Sequence, residues 1–294
     1  MTTTGRLRLI LSQLIEQLRM PLAPGQTYPY PRLRNFVTDV LAEGRRKHIA
    51  HVVLDADVGG VKEQLAENRR RGGEPASMTS YIAKSFALAI EEDKRMQAYR
   101  LGRSRIVVFD DIDLAFMIER EWEGEALPVF YLLREAQRKT VYDIHRELRA
   151  AREAPLGAQG PMSALEMQFF LLPAFLRKAL WFFVRRNPYW FKDLAGTAGV
   201  TSMGMYTSGS AVGVPITPMT LTLSIGTIDR KLALQDGGLI ERDVVHMTIS
   251  VDHDIVDGAP LMRFAERFKK ILLARTALPS CGGAREDGDN TLEA

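Results

Sequence analysis

The sequence predicts an α/β protein with a mixed, mainly antiparallel sheet covered by helices, and three observations predict it. The stretches "MTLTLSIGTI" (219–228) and "VVHMTISV" (244–251) alternate apolar and polar residues with period two, as half-buried strands do. Between strand-like runs the apolar spacing changes to that of helices, as through Ile82, Phe86 and Ile90 within 79–97. The chain has 294 residues and 46% apolar content, enough for a packed core in one main domain.

The elements follow in order. Leu7, Leu11, Leu14 and Leu18 recur at helical spacing, and "PLAPGQTYPYP" then breaks the pattern with four prolines, so residues 1–31 read as a helical arm. A main domain is expected over 32–274. It opens with a helix from Arg34 to Glu43 and the strand "AHVVLDADV", which carries His51. A charged, glycine-bounded stretch, "AENRRRGGEPAS", comes next, then the helix at 79–97 and two β-rich runs, "RIVVF" and "IDLAFMIE". Residues 136–152 form a helix with i,i+4 charge pairs on its outer face. An aromatic-rich block runs from Leu165 to Phe191, and the two alternating strands lead into a helix whose buried stripe is Leu261, Phe264, Phe268 and Leu272. Residues 275–294 are expected to be a polar, disordered tail.

Composition narrows the function. Thirty-nine basic residues against 36 acidic ones give a net charge of +3, and the cations are scattered among acids, which argues against nucleic acid as a partner. Cys281 is the single cysteine, so no disulfide framework or cysteine metal site forms within one chain, and a reducing cytoplasm fits. No apolar signal segment opens the sequence. His48, His51 and His145 show no metal-ligand spacing, and no metal is expected. "DVGGVKEQLAENRRRGG" lacks the ending of a phosphate-binding loop. His246, Thr248 and Ser250 share the polar face of one strand, which is expected to be solvated, or else to line a substrate tunnel.

The segment "SVDHDIVDGAPLMRF" (250–264) holds the candidate chemistry. His253 lies just past a strand, on the side of Val245, Met247, Ile249 and Val251, and Asp257-Gly258 stands four residues on, before the helix. A neutral imidazole held in one tautomer on such a mount suits proton abstraction near pH 7. Alternatively, His253 caps the strand end through hydrogen bonds and Asp257 is the helix N-cap.

A resemblance covers residues 32–274. "TLSIGTIDRK…DVVHMTISVDHDIVDGAPLMRFAERFKKIL" resembles the C-terminal end of the catalytic domain of the dihydrolipoamide acyltransferases of 2-oxo acid dehydrogenase complexes, relatives of chloramphenicol acetyltransferase. "AGVTSMG", "REAQRKTVYDIHRELRAA", "TSYIAKSFALAIEEDKRMQAYR" and "RLRNFVTDVLAEGRRKHIAHVVLDADV" are similar to its earlier pieces, in the same order. The resemblance implies a chloramphenicol acetyltransferase-like fold, a homotrimer with active sites between protomers, and acyl transfer between coenzyme A and a thiol or hydroxyl. His253 would be the general base, Thr201 the hydroxyl that donates to the oxyanion, and Asp257 the partner of an arginine, with Arg34 in the matching place and Arg32 a second candidate. Gly258 completes the motif and would support the site. For Thr201 and Arg34 the plain readings are a strand residue and a surface charge.

Three departures qualify what is carried over. Asp254 follows the histidine where the family usually has arginine. No lipoyl or subunit-binding segment is recognised ahead of the core, so coenzyme A or a lipoyl-bearing carrier on another protein would bring the acyl group. Residues 164–194 are longer and more aromatic than the family's counterpart. The ten large apolar side chains between Phe169 and Phe183 must be covered, although Pro173 and Arg177-Lys178 exclude a transmembrane helix. Burial in the assembly is the expectation, ahead of an acyl-pocket wall and of a membrane-surface helix. A non-catalytic scaffold retaining the fold is the other functional class.

Overall fold

The computed structural model describes residues 25–26, 30, 34–122, 125–154, 172–204 and 209–278. The chain divides into two compact units, Met1–Arg32 and Leu33–Ala294, and every element named below lies in the second. The leucine-spaced helix of the arm, residues 155–171 and nearly all of the tail fall outside the described residues.

The elements are α1 (Asn35–Gly44), β1 (Ile49–Asp57), α2 (Gly59–Arg70), α3 (Met78–Glu92), β2 (Tyr99–Leu101), β3 (Arg105–Val107), β4 (Leu114–Trp122) and β5 (Glu125–Leu133). They continue with α4 (Val141–Glu153), α5 (Ala174–Val184), α6 (Pro188–Ala195), β6 (Ala198–Ser202), β7 (Leu221–Gln235), β8 (Gly238–Asp252) and α7 (Gly258–Ala274). Six strands form one sheet in the order β1-β8-β7-β6-β4-β5. Only β6 pairs in parallel, with β4 and β7, so the sheet is mixed and mainly antiparallel, as expected.

Helices α3 and α7 pack on the apolar face of the sheet. Val245, Met247, Ile249 and Val251 of β8 are fully buried there with Leu221 and Leu223 of β7. Phe86 meets Phe264 and Phe268 edge to face, with ring centroids 5.9 and 5.6 Å apart. This core includes Ala277 and Leu278, past the end of α7. A second cluster gathers Val40 of α1, Tyr99, Ala115, Val129, Trp181 of α5 and Phe191 of α6.

Differences from the sequence reading have local causes. The expected helix at 79–97 breaks at Asp93, whose φ of −146° is not helical, and resumes as a 3₁₀ turn over Lys94–Gln97. The helix expected at 136–152 starts at Val141, because Thr140 and Asp143 close a capping box. Helix α2 escaped notice because it buries only Val61, leaving almost no apolar period. Strand β5 contains Pro128 and is tolerated as an edge strand paired only with β4. The β7–β8 hairpin runs well beyond its alternating parts, and Asp236-Gly237, both at positive φ, form the tight turn between the strands.

Candidate active site

Strand β8 brings His253 to the rim of the sheet. The strand ends at Asp252, and His253 donates its backbone N–H to the carbonyl oxygen of His48 at 2.8 Å, so its main chain is tied to the approach of β1. The reversal that follows is made by Asp252, whose carbonyl accepts the N–H groups of Ile255 and Val256, each at 3.0 Å. Its carboxylate accepts the N–H of Asp254 at 3.2 Å. Asp257 occupies the N-cap position of α7, yet its side chain makes no cap hydrogen bond. That carboxylate instead stands 3.8 Å from Nδ1 of His253. At that distance the two groups are neighbours without a hydrogen bond between them. Both side chains are exposed in the single chain, 51% for His253 and 83% for Asp257, so water screens the pair. Gly258 has no positive φ, and a Cβ placed on it would meet open space. Within one protomer the chain turns before this glycine rather than through it.

Lys47 reaches the strand end that carries this loop. Its Nζ lies 2.6 Å from Oδ2 of Asp252, a buried carboxylate adjacent to the histidine. Arg34 is exposed at the start of α1, and among the described residues no ion pair joins it to Asp257. Asp254, the departure from the family pattern, is matched within the chain: His48 Nδ1 lies 2.9 Å from it, and Arg100 Nη1 3.9 Å. Lys47 and His48 were not legible as loop partners, because only the β1–β8 register, Ile49 opposite Asp252, sets them beside it. A cleft of about 190 Å³ opens beside the loop, lined among others by Arg46, Lys47, Tyr99, Arg100 and Asp254.

Thr201 lies on β6 with its neighbours Ala198 and Val200 in the apolar core, so its own side chain belongs to the opposite face of the sheet. By register it stands beside Ser224 of β7, which faces Thr248 of β8. Ser224, Thr248 and Ser250 are fully buried. The polar face of β8 is therefore not the solvated face expected from alternation. The irregular run 209–218 covers part of it, with Ala211 donating its N–H to Thr227 Oγ1 at 2.9 Å and Gly213 close to Ser224. The buried hydroxyls of Ser224 and Thr248 have no hydrogen-bond partner among the described residues.

Thr201 and His253 are not brought together in one protomer. Thr201 is level with Thr248, five residues short of His253, a separation of about 16 Å along the strand direction before any lateral offset.

The same face carries a further cluster. His246 is buried, with Nδ1 2.6 Å from Asp55 and Nε2 3.4 Å from Asp229. Burial pushes the Asp55 carboxyl up, but Lys231 and His246 outweigh it and hold it below the usual carboxylate value. Burial lowers His51, whose Nδ1 is 2.8 Å from Ser250 Oγ. Among the described residues no group of three or more His, Cys, Asp or Glu side chains could hold a metal ion.

Residues 186–278, from α6 through the histidine loop and α7, match the family model for the 2-oxoacid dehydrogenases acyltransferase (catalytic domain). That match covers about a third of the chain and is a likeness to the catalytic domain of this family. The chain is 24% identical over 194 residues to the lipoamide acyltransferase component of the branched-chain alpha-keto acid dehydrogenase complex of Bacillus subtilis, covering 66% of this chain and 38% of that protein. It is 32% identical over 198 residues to the dihydrolipoyllysine-residue acetyltransferase component of the pyruvate dehydrogenase complex of Mycoplasma genitalium, covering 66% and 42%. The chain thus spans about two fifths of the length of these curated relatives.

Solved structures agree on the fold. A probable dihydrolipoamide acetyltransferase from Listeria monocytogenes superposes with a TM-score of 0.66 at 18% identity, covering 88% of this chain and 98% of that one. The Azotobacter vinelandii dihydrolipoamide acetyltransferase does so at 0.65 and 14%, covering 88% and 96%.

Proposed function

We propose that the domain transfers an acyl group between coenzyme A and an acceptor thiol or hydroxyl, with His253 as the general base. The observation that carries the reading is the mount of His253. Its backbone is held by His48, Asp252 beside it is neutralised by Lys47, and its imidazole is spent on no capping hydrogen bond among the described residues. The relatives are named as lipoamide or dihydrolipoyllysine acyltransferases, which makes a lipoyl thiol on a separate carrier protein the first acceptor to try. In the Azotobacter protein a serine, a histidine and, four residues on, an asparagine were investigated in the catalytic mechanism, and four is also the spacing of His253 and Asp257.

In this reading Nε2 of His253 takes the proton of the acceptor, and the resulting thiolate or alkoxide attacks the thioester carbonyl. The hydroxyl of Thr201 donates to the oxyanion. Collapse of the tetrahedral intermediate expels the coenzyme A thiolate, which recovers the proton from His253. Arg46 and Arg100, which line the cleft beside the loop, would meet the coenzyme's phosphates. Because Thr201 and His253 lie apart in one chain, the working site is shared between protomers of a homotrimer, with Thr201 of one chain serving His253 of another. The cytoplasm remains the proposed location.

The test is coenzyme A release from a panel of acyl-CoA thioesters offered free dihydrolipoamide, other thiols and alcohols. With the best pair, His253→Ala is expected to lower turnover by about 10² to 10⁴ while fold and oligomer mass stay unchanged. Thr201→Ala should lose about 10² to 10³, and Thr201→Ser should keep most activity. Folded protein that is silent across the whole panel would favour the scaffold reading.

A further inference from the structure

Helix α5 inverts the usual relation between polarity and burial. The side chains it buries are Arg177 and Trp181, while Phe175, Leu176, Leu180, Phe182 and Phe183 face outward. Phe175 is 71% exposed and Phe183 55%, and at the start of α6 Tyr189 and Trp190 are 55% and 54% exposed. A monomer surface rarely leaves so many large apolar side chains in water along one short segment.

The charges say what covers it. Between Glu166 and Asp193 the sequence holds five cations, Arg177, Lys178, Arg185, Arg186 and Lys192, and no anion. Three of them are met by carboxylates from the rest of the domain: Arg177 by Asp39 at 2.8 Å, Arg185 by Glu43 at 3.2 Å and Lys192 by Asp113 at 3.2 Å. The exposed pair, Lys178 and Arg186, has no carboxylate partner among the described residues, and Arg186 lies over the Phe182 ring, 3.5 Å from its centroid. Phenylalanine, leucine, tyrosine and tryptophan facing outward beside unpaired cations match the headgroup boundary of an anionic bilayer. The hairpin arm of β7–β8 offers a contrast. It exposes Leu232, Leu234 and Leu239 among charges of both signs, such as the Arg230–Glu241 pair.

We propose that the α5–α6 face seats the domain on an anionic lipid surface, lying in the headgroup layer without spanning it. Among the described residues no helix is long and apolar enough to cross a membrane. This placement reverses the order expected from sequence, in which burial in the assembly came first, and it does not depend on the acyl-transfer reading.

Sedimentation of the full chain with phosphatidylcholine vesicles, with and without phosphatidylglycerol, tests it. The wild-type chain is expected to sediment with the anionic vesicles, and less so as salt rises. Lys178→Gln with Arg186→Gln, which spares the apolar face, should weaken partitioning about 25-fold, roughly fivefold per charge. Phe175→Gln with Phe183→Gln should weaken it at least about tenfold, with unchanged light-scattering mass and melting temperature. Wild-type protein that binds neither vesicle, or binds both equally, overturns the proposal. So does a loss of oligomer mass in the phenylalanine variant without lipid, which would make the face a contact between copies of the chain.

Discussion

Strand β8 and helix α5 bury opposite kinds of side chain. Over residues 244–252 of β8 both faces are buried, with Val245, Met247, Ile249 and Val251 on one side and His246, Thr248 and Ser250 on the other. In α5 an arginine and a tryptophan turn inward and the phenylalanines turn out. The strand shows a domain whose apolar side is finished within the chain and whose polar side is closed over hydroxyls that lack partners among the described residues. The helix shows a surface that the domain itself does not finish. Apolar content therefore does not say where the core lies; the partners of the polar groups do. Arg177 is inside because Asp39 is there to receive it.

The sharpest way to break the comparison is to truncate a phenylalanine in each region. Phe264→Ala, in the fully buried cluster under β8, should destabilise the domain by about 3–5 kcal/mol, read by urea unfolding. Next comes the anchor of α6. Asp113 is buried and accepts from Arg134 Nη1 at 2.9 Å and from the Glu135 N–H at 3.0 Å, with Lys192 3.2 Å away. Burial pushes its carboxyl up, but these donors and cations prevail and hold it below the ordinary value. A depressed folded-state pKa means that the stabilisation is complete above the unfolded value, about pH 4, and is lost as the pH falls through the folded value. Asp113→Asn should accordingly cost roughly 3 kcal/mol at neutral pH, and the difference from wild type should narrow below about pH 4.

A smaller effect is expected at the histidine loop. Lys47→Ala leaves the buried Asp252 carboxylate without its ammonium and should cost about 1–3 kcal/mol, with a larger fall in acyl transfer than in stability. The smallest belongs to α5. Phe183→Ala should change stability in lipid-free solution by no more than about 0.5 kcal/mol, since its side chain is largely exposed already. A cost like that of Phe264→Ala would mean that the helix is covered in solution.

The sequence made the fold legible where periodicity and burial coincide. The alternation of β7 and β8 and the stripe Leu261, Phe264, Phe268 and Leu272 describe real buried faces. It was silent where an element buries one residue, as α2 does, or sits at an edge with a proline, as β5 does. The motif led to His253 and Asp257 because four residues of chain must bring them close. The support from Lys47 and His48 was hidden, since it depends on a strand register linking residues about 200 positions apart. The polar face of β8 misled for a related reason: alternation marks which residues share a face, and a covering loop such as 209–218 leaves no periodic trace.

The central claim is a site made by His253 of one protomer and Thr201 of another. Mixing purified His253→Ala chains with Thr201→Ala chains, unfolding and refolding them together, and measuring coenzyme A release tests it most directly. If the site is shared, activity should reappear at about a quarter of the wild-type level, the share of interfaces that unite an intact histidine with an intact threonine. A mixture no more active than its two components, while refolded wild type recovers fully, would contradict it.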